Sequence, residues 1–260
     1  WEEVDNASIT GVTPSVAIDD DGLAHIAYYD QTNGNLRYAR QRTPDGWDYF
    51  TVDSSGDVGF NPSLALDSLQ QPHIAYRDAT NGTLKYAVFD GTNWQSVTVP
   101  GATDFLGTSS VSLALTSANL PRIAYRRSSG PQLVLGLGYA AFDGSTWTVE
   151  TAFTSPTVGE GFSLALDAAG VPHLSFMDSS VGLRYIQKNP GWTSPETVVA
   201  SVLAGSQNNL ALDPSGLPRI VFFDSSASPY TIKYAYKDGS TWRVEQLATN
   251  AASPHLAIGP

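Results

Sequence analysis

The sequence predicts an all-β fold, a five-bladed β-propeller of four-stranded antiparallel blades, from three observations. A five-residue pattern recurs along the chain at intervals in the range typical of propeller blades. Each copy precedes the same order of strand-like runs and turn signals. No helical apolar periodicity of useful length is present, and the 23 glycines and 16 prolines fall mostly at turn positions.

The recurring pattern is the first strand of each repeat, here called s1. Successive central alanines of this pattern lie 48, 49, 51, 46 and 46 residues apart. A single sheet of this kind cannot bury both of its faces, so the repeats are expected to stack and cover one another. The copies are SVAID at 15–19, SLALD at 63–67, SLALT at 112–116, SLALD at 163–167, NLALD at 209–213 and HLAIG at 255–259.

The remaining strands of a repeat are clearest at 72–94, PHIAYRDATNGTLKYAVFDGTNW. Asn81-Gly82 tolerates the positive φ of a tight reversal, so the runs on either side form a hairpin, s2 and s3. Asp90-Gly91-Thr92-Asn93 is a second turn signal, and Trp94 opens the fourth strand, s4. Each repeat therefore provides four antiparallel strands.

We expect a single β-propeller domain over 1–260, with surplus strands at 1–5 and 254–258. An exposed strand edge is a liability, so these two strands should pair within the ring or with another subunit. The alternative is that the chain is part of a six-bladed or longer propeller array. The repeats lie at about 15–52, 63–99, 112–152, 163–199 and 209–247.

Composition excludes several classes of function. The chain of 260 residues has no cysteine, which excludes disulfides, thiolate metal sites and cysteine nucleophiles. A net charge of −11 disfavours nucleic acid and anionic membrane as partners. No run of 18 apolar residues is present, so no membrane insertion is expected. No metal or cofactor is predicted.

Three sets of residues recur at fixed repeat positions and are interpreted as structural. The six tryptophans open s4 and are predicted to pack between blades. A His or Arg opens s2 where an Asp closes s1, which predicts a hydrogen bond within that hairpin. An Asp closing s2 is expected to form an ion pair with a cation in s3. These expected ion pairs between s2 and s3 are Asp30 with Arg37, Asp78 with Lys85, Asp178 with Arg184, and Asp224 with Lys233.

The candidate ligand-binding residues lie outside this repeat pattern. They fall in or beside the s4–s1 and s2–s3 connections, which emerge on one face because the strands alternate in direction. Loops on a rigid scaffold are where binding residues concentrate. The set consists of Asp57, Phe60, Asp104, Phe105, Arg126, Arg127 and Glu160.

Two segments carry a family resemblance, PSLALDSLQQPHIAYRD and NGTLKYAVFDGTNW. They resemble the blades of bacterial secreted β-propellers, and the layout is similar to that of the five-bladed lectin tachylectin-2, though not in its residues. That family binds amino sugars. The resemblance implies a location outside the cell or at its surface, with a glycan or another protein as partner.

The function expected is a non-catalytic binding or scaffold propeller, with carbohydrate as the candidate ligand. One alternative is a self-assembling subunit joined through its surplus terminal strands, which would make the protein a homo-oligomer. Another is a glycoside-active enzyme, which needs two or three carboxylates to converge. The acids outside the repeat pattern are few and lie in different loops, which counts against this enzyme alternative.

Overall fold

A computed structural model describes residues 4–5, 10–43, 45–103, 110–129, 134–226 and 228–257. Within these ranges the regular secondary structure consists of β-strands, as the sequence predicts. No helix in the described part of the chain is long and apolar enough to cross a membrane.

The described residues form twenty strands in five four-stranded sheets, each built from four consecutive strands. The predicted order of s1 to s4 within each repeat is confirmed, because the four strands of every sheet are neighbours in chain order. The s1 strand at one edge of each sheet is called the inner strand here. The strands are β1 Val12–Ile18, β2 Ala24–Asp30, β3 Asn35–Gln41, β4 Trp47–Asp53, β5 Val58–Leu66, β6 Pro72–Asp78, β7 Thr83–Phe89, β8 Trp94–Thr103, β9 Val111–Leu115, β10 Pro121–Ser129, β11 Val134–Phe142, β12 Trp147–Thr154, β13 Val158–Leu166, β14 Pro172–Asp178, β15 Gly182–Gln187, β16 Glu196–Val199, β17 Ala204–Leu212, β18 Pro218–Asp224, β19 Thr231–Asp238 and β20 Thr241–Thr249.

Several predicted boundaries are wrong. Strands β5, β13 and β17 begin about five residues before the predicted repeats and include an apolar-glycine or alanine-glycine pair that the predicted bounds leave outside the strand. Strand β16 is short because proline at 195 has no backbone N–H to donate to a ladder. Residues 254–257 were expected to form a strand, but they have no strand assignment.

A β-bulge explains why these inner strands extend further than predicted. The pairing of β5 with β6 shifts register between Val58 and Phe60 and again before Ser63. Gly59 lies at φ +103, and a Cβ there would be 2.7 Å from the Cα of Leu36. The glycine therefore permits both the bulge and a close approach to β3.

The chain divides into two compact units. Unit 1 contains Trp1–Ser129 and Tyr139–Glu150, and unit 2 contains Gly130–Gly138 and Thr151–Pro260. The single domain over 1–260 stays a prediction.

In each unit the apolar core lies between sheets packed face to face. In unit 1, Leu36 and Tyr38 of β3 pack with Ile74 and Tyr76 of β6 in one buried cluster. In unit 2 the equivalent cluster joins strands β15, β17 and β18 and includes Leu183, Tyr185, Leu210, Ile220 and Phe222. Both faces of an inner strand thus need a neighbouring sheet, as the repeat pattern predicts.

A hydrogen bond repeats between successive inner strands. The hydroxyl of Ser15 accepts from the backbone N–H of Leu64 at 3.0 Å. The amide oxygen of Asn209 accepts in the same way from Leu256 at 3.0 Å. The segment at 253–257 is thus held where a following inner strand would begin, through a side chain instead of a ladder. The same contact joins Ser63 to Leu113 and Ser163 to Leu210, each at 3.0 Å.

We expect Gly59→Ala to lower the free energy of unfolding by about 3–4 kcal/mol, since it adds positive-φ strain to a backbone clash. The control is Gly22→Ala, at φ +80 with nothing within 4 Å of the added Cβ. Only the strain acts there, so the loss should be about 1–2 kcal/mol. Urea denaturation measures both, and equal losses would contradict the close approach.

Candidate functional site

The predicted loop-face residues are only partly brought together. The hydroxyl of Tyr29 donates to Asp57 Oδ1 at 2.6 Å, and the ring of Phe60 stacks on that of Tyr29 with centroids 4.0 Å apart. The backbone N–H of Asp57 donates to Thr80 Oγ1 at 2.7 Å. Asp57 and Phe60 therefore form one cluster through Tyr29, in which Asp57 already has partners.

The other predicted residues do not join this cluster in the described part of the chain. Asp104 and Phe105 lie outside the described residues. Glu160 lies within β13 and not in a loop. Arg126 and Arg127 lie on β10, partly buried. As a ligand-binding set, these residues stay a prediction.

A cleft with a different composition, called cleft A here, lies between the sheets β1–β4 and β5–β8. Its volume is about 350 Å³. It opens at the s1–s2 and s3–s4 turns, the end opposite to the predicted loop face. Its lining consists of His25, Tyr38, Arg40, Asp48, Phe50, Leu69, Gln70, Gln71, Pro72, Phe89, Gly91 and Trp94.

A second cleft, cleft B, lies in unit 1 between the sheets β5–β8 and β9–β12, with a volume of about 550 Å³. It occupies the same repeat position as cleft A, so that His73, Tyr86, Phe142 and Trp147 correspond to His25, Tyr38, Phe89 and Trp94. The lining consists of His73, Tyr86, Val88, Gln95, Val97, Thr98, Pro100, Asn119, Leu120, Pro121, Phe142, Ser145 and Trp147.

The back wall of each cleft is an aromatic contact between neighbouring sheets. The ring of Trp94 meets Tyr38 edge-on, with centroids 5.1 Å apart and planes at 67°. Trp147 meets Tyr86 in the same way at 5.4 Å and 67°. The prediction that tryptophans pack between sheets is confirmed for these two, and both also line a cleft. The Nε1 of Trp94 is buried and makes no hydrogen bond with the described residues.

A buried chain of polar groups holds each tyrosine in place. Tyr38 Oη lies 2.5 Å from His25 Nδ1, and His25 Nε2 lies 3.2 Å from Asp19 Oδ2. A neutral imidazole protonated on Nε2 satisfies both contacts. The predicted hydrogen bond within the s1–s2 hairpin is therefore confirmed for Asp19 and His25. In unit 2, His173 Nδ1 lies 2.5 Å from Tyr185 Oη.

Burial decides the charge state of this network of tyrosine, histidine and aspartate side chains. Desolvation lowers the pKa of His25, His73 and His173, although a nearby aspartate opposes the shift in each case. Burial alone would raise the pKa of Asp19, but the hydrogen bonds from Leu23 N–H and His25 outweigh it and lower it. The network is most stable when the histidine is neutral and the aspartate beside it is ionised.

The predicted ion pairs between s2 and s3 are confirmed in two repeats. Lys233 Nζ lies 2.6 Å from Asp224 Oδ2, and Arg184 Nη1 lies 3.9 Å from Asp178 Oδ2.

In the first two repeats the prediction names the wrong carboxylate. Lys85 contacts Asp53 at the end of β4, and Arg37 lies 3.5 Å from Asp5. The reason lies in the s2–s3 turns, where Asn33 and Asn81 each donate a side-chain N–H to the s2 aspartate at 2.8 Å. Repeats four and five have no such asparagine, which leaves the aspartate for the cation.

The clefts were not found from the sequence because every lining tryptophan also has a packing role. The available signal was the pairing of a phenylalanine with the tryptophan five residues later, as in Phe89 with Trp94 and Phe142 with Trp147. In the structure, Phe89 and Trp94 lie opposite each other in the ladder. They present two aromatic rings to the neighbouring sheet.

Comparison with known proteins gives the fold. No protein-family profile matches the chain, and no curated protein sequence matches it. The crystal structure of the fungal lectin from Aleuria aurantia, described as a six-bladed β-propeller with a novel fucose recognition mode, is 14% identical with a TM-score of 0.60. That match covers 92% of this chain and 78% of the lectin.

A protein of unknown function from Dyadobacter fermentans is 12% identical, also with a TM-score of 0.60. That match covers 93% of this chain and 84% of the other. Identities this low show the fold alone. The chain has the fold of a β-propeller.

The predicted blade number is corrected by these neighbours. The fold class was predicted as a five-bladed propeller similar to tachylectin-2, whereas the matching fungal lectin is six-bladed. The five four-stranded sheets themselves stand. The physical reason is that repeat spacing counts the sheets in a chain. It does not report the angle between neighbouring sheets, which sets how many blades complete a ring.

We expect stability to fall as the pH drops from about 6.5 to 5. His25, His73 and His173 have folded-state pKa values below the ordinary 6.5. The unfolded chain therefore takes up protons in this range that the folded chain refuses. Each histidine can contribute a slope of up to about 1.4 kcal/mol per pH unit. Urea denaturation at pH 7.5, 6.5 and 5.5 measures the total.

The control for this effect is His73→Gln, which keeps a polar side chain but cannot titrate. Its slope between pH 6.5 and 5.5 should be smaller by up to about 1.4 kcal/mol per pH unit. The wild-type and variant chains should have the same slope above pH 7. An unchanged slope below pH 6.5 would show that His73 is not held neutral by burial.

Proposed function

We propose that the chain is a non-catalytic carbohydrate-binding protein with binding sites in clefts A and B. The observation that carries the proposal is the repetition of the cleft. Two successive sheet interfaces of unit 1 present the same Trp, Phe, Tyr and His positions around an open volume. A protein that binds one small ligand at each repeat would show such a pattern, and close packing alone does not need the open volume.

The lining suits an amphipathic ligand such as a sugar. Phe50, Phe89 and Trp94 supply apolar surface on which the C–H face of a sugar ring can stack. Arg40 and Gln71 supply hydrogen-bond donors for hydroxyl groups at the same cleft. The volumes of both clefts fall within the usual range for small-molecule sites.

Fucosides are the first sugars to test. A structural neighbour, a point mutant of the Aleuria aurantia lectin, has been solved with α-methyl-L-fucoside and with Fucα1-6GlcNAc, each at 13% identity. A 6-deoxy sugar carries a methyl group beside its hydroxyls, which fits a cleft with aromatic and polar walls. Glycan recognition would also agree with the location outside the cell or at its surface that the sequence suggests.

The composition of the clefts favours binding over hydrolysis. Glycoside hydrolysis generally uses two carboxyl groups on either side of the bond. The described lining of cleft A contains a single carboxylate, Asp48, and that of cleft B contains none. The predicted loop-face residues, with Asp57 and Phe60 as their described core, provide a second candidate surface for the same function.

Self-assembly is a second candidate because apolar side chains of β1 are exposed. On β1, Val16 is 56% and Ile18 is 60% exposed. Leu64 and Leu113, which are equivalent to Val16 in the next two repeats, are each 8% exposed. Light scattering over a range of concentrations tests this, because association through the exposed side chains of β1 would raise the mass above 27.7 kDa.

Titration calorimetry with methyl α-L-fucoside tests the proposal on a matched pair of variants. Phe50 and Tyr49 are neighbours on β4 and are 37% and 46% exposed, but only Phe50 lines cleft A. Phe50→Ala should weaken binding at one site about tenfold, equivalent to about 1.4 kcal/mol. Tyr49→Ala should leave binding unchanged.

A further variant separates stacking from packing. Trp94→Phe keeps an aromatic wall but removes the indole N–H, and we expect weaker binding with little change in melting temperature. Binding by wild type that none of these variants alters would move the site to the loop face. Absence of binding to methyl α-L-fucoside and to a panel of other methyl glycosides would overturn the proposal.

A further inference from the structure

A third interface has the geometry of clefts A and B but different chemistry. It lies in unit 2 between the sheets β13–β16 and β17–β20 and is called cleft C here. Trp242 meets Tyr185 edge-on at 5.4 Å and 67°, as Trp147 meets Tyr86. His173 supports Tyr185 from behind, at 2.5 Å.

Two positions distinguish cleft C from the others. Opposite the central tyrosine in the ladder stands Phe50 in cleft A, Val97 in cleft B and Glu196 in cleft C. Opposite the tryptophan stands Phe89 in cleft A and Lys237 in cleft C. Cleft C therefore has a carboxylate and an ammonium group at the two positions where cleft A has phenylalanine side chains.

Glu196 and Lys237 meet across the cleft and occupy its aromatic surface. Lys237 Nζ lies 2.8 Å from the Glu196 carboxylate. The same nitrogen lies 5.4 Å from the ring centroid of Tyr185 and 5.5 Å from that of Trp242. A cation over both rings covers the surface on which a sugar would stack.

The Glu196 carboxylate also provides a hydrogen-bond acceptor for the indole N–H of the tryptophan in cleft C. Trp242 Nε1 donates to Glu196 Oε2 at 3.0 Å, whereas Trp94 Nε1 is buried and makes no hydrogen bond with the described residues. Glu196 therefore fills the place of an acceptor oxygen that a ligand of cleft A would present to Trp94.

We infer that Glu196 and Lys237 close cleft C against the sugar that clefts A and B bind, so that these two positions decide which interfaces are binding sites. The inference rests on the proposed function. It assigns specificity to one side chain from each sheet, and it identifies the ligand as one that offers a hydrogen-bond acceptor to the indole N–H.

Exchange of the two positions in both directions tests the inference. Glu196→Val with Lys237→Phe introduces the residues of cleft B into cleft C. This double variant should bind one more methyl α-L-fucoside per chain than wild type in titration calorimetry. The reciprocal double variant, Val97→Glu with Phe142→Lys, should bind one fewer. Thermal melts show whether each variant is folded. The Glu196–Lys237 pair is only partly buried, so its replacement by apolar residues leaves no buried charge without a partner.

Two single substitutions provide the control in the wild-type background. Trp242→Phe should leave the number of sites unchanged, because cleft C is already closed, whereas Trp147→Phe should weaken one site. A folded Glu196→Val, Lys237→Phe variant with the wild-type number of sites would overturn the inference while the proposed function stands. Loss of a site in Trp242→Phe would overturn it as well. If neither wild type nor the double variant binds the fucoside or any of the panel of other methyl glycosides, the proposed function and the inference both fail.

Discussion

The structure depends on the face-to-face packing of neighbouring sheets, and the central contact is a tyrosine of s3 against the tryptophan of the next sheet. Tyr38, Tyr86 and Tyr185 all make this contact at 67°, although they lie in different repeats and in two compact units. A four-stranded sheet with two apolar faces gains its stability only when both are covered. The tyrosine ring covers part of the apolar face, and its hydroxyl is hydrogen-bonded to the histidine of s2. Because the hydroxyl has a partner, this large polar side chain can be buried.

The clefts follow from the same contact. Because the tryptophan meets the tyrosine at its edge, the two sheets stay apart at the turn end, and the gap is walled by rings that packing already fixes. A binding site can arise at every such interface without any change to the backbone. Side chains at two ladder positions then decide whether the gap stays open, as with Phe50 and Phe89, or is filled, as with Glu196 and Lys237. A preorganised wall of this kind loses little conformational entropy when a ligand binds.

Prediction from the sequence succeeded where one residue type has one partner within a repeat. The strand order and the Asp19–His25 bond followed from local spacing. It failed where a neighbouring sheet offered a competing partner. Lys85 contacts Asp53 of the preceding repeat because Asn81 already bonds Asp78, and no pattern within one repeat shows that Asp53 lies within reach. A glycine such as Gly59 gives the same sequence signal in a loop and in a bulge, and only the approach to Leu36 distinguishes them.

The sequence by itself determined the all-β class, the four-stranded unit and the number of such units, because these depend on short-range periodicity and turn chemistry. The tertiary structure decided where the open volume lies, which carboxylate each cation contacts, and how the fold relates to six-bladed propellers. These properties depend on the angle between sheets and on contacts between residues about thirty to sixty positions apart. Such contacts are set by the packing of whole side-chain layers, which the spacing of one strand pattern does not encode.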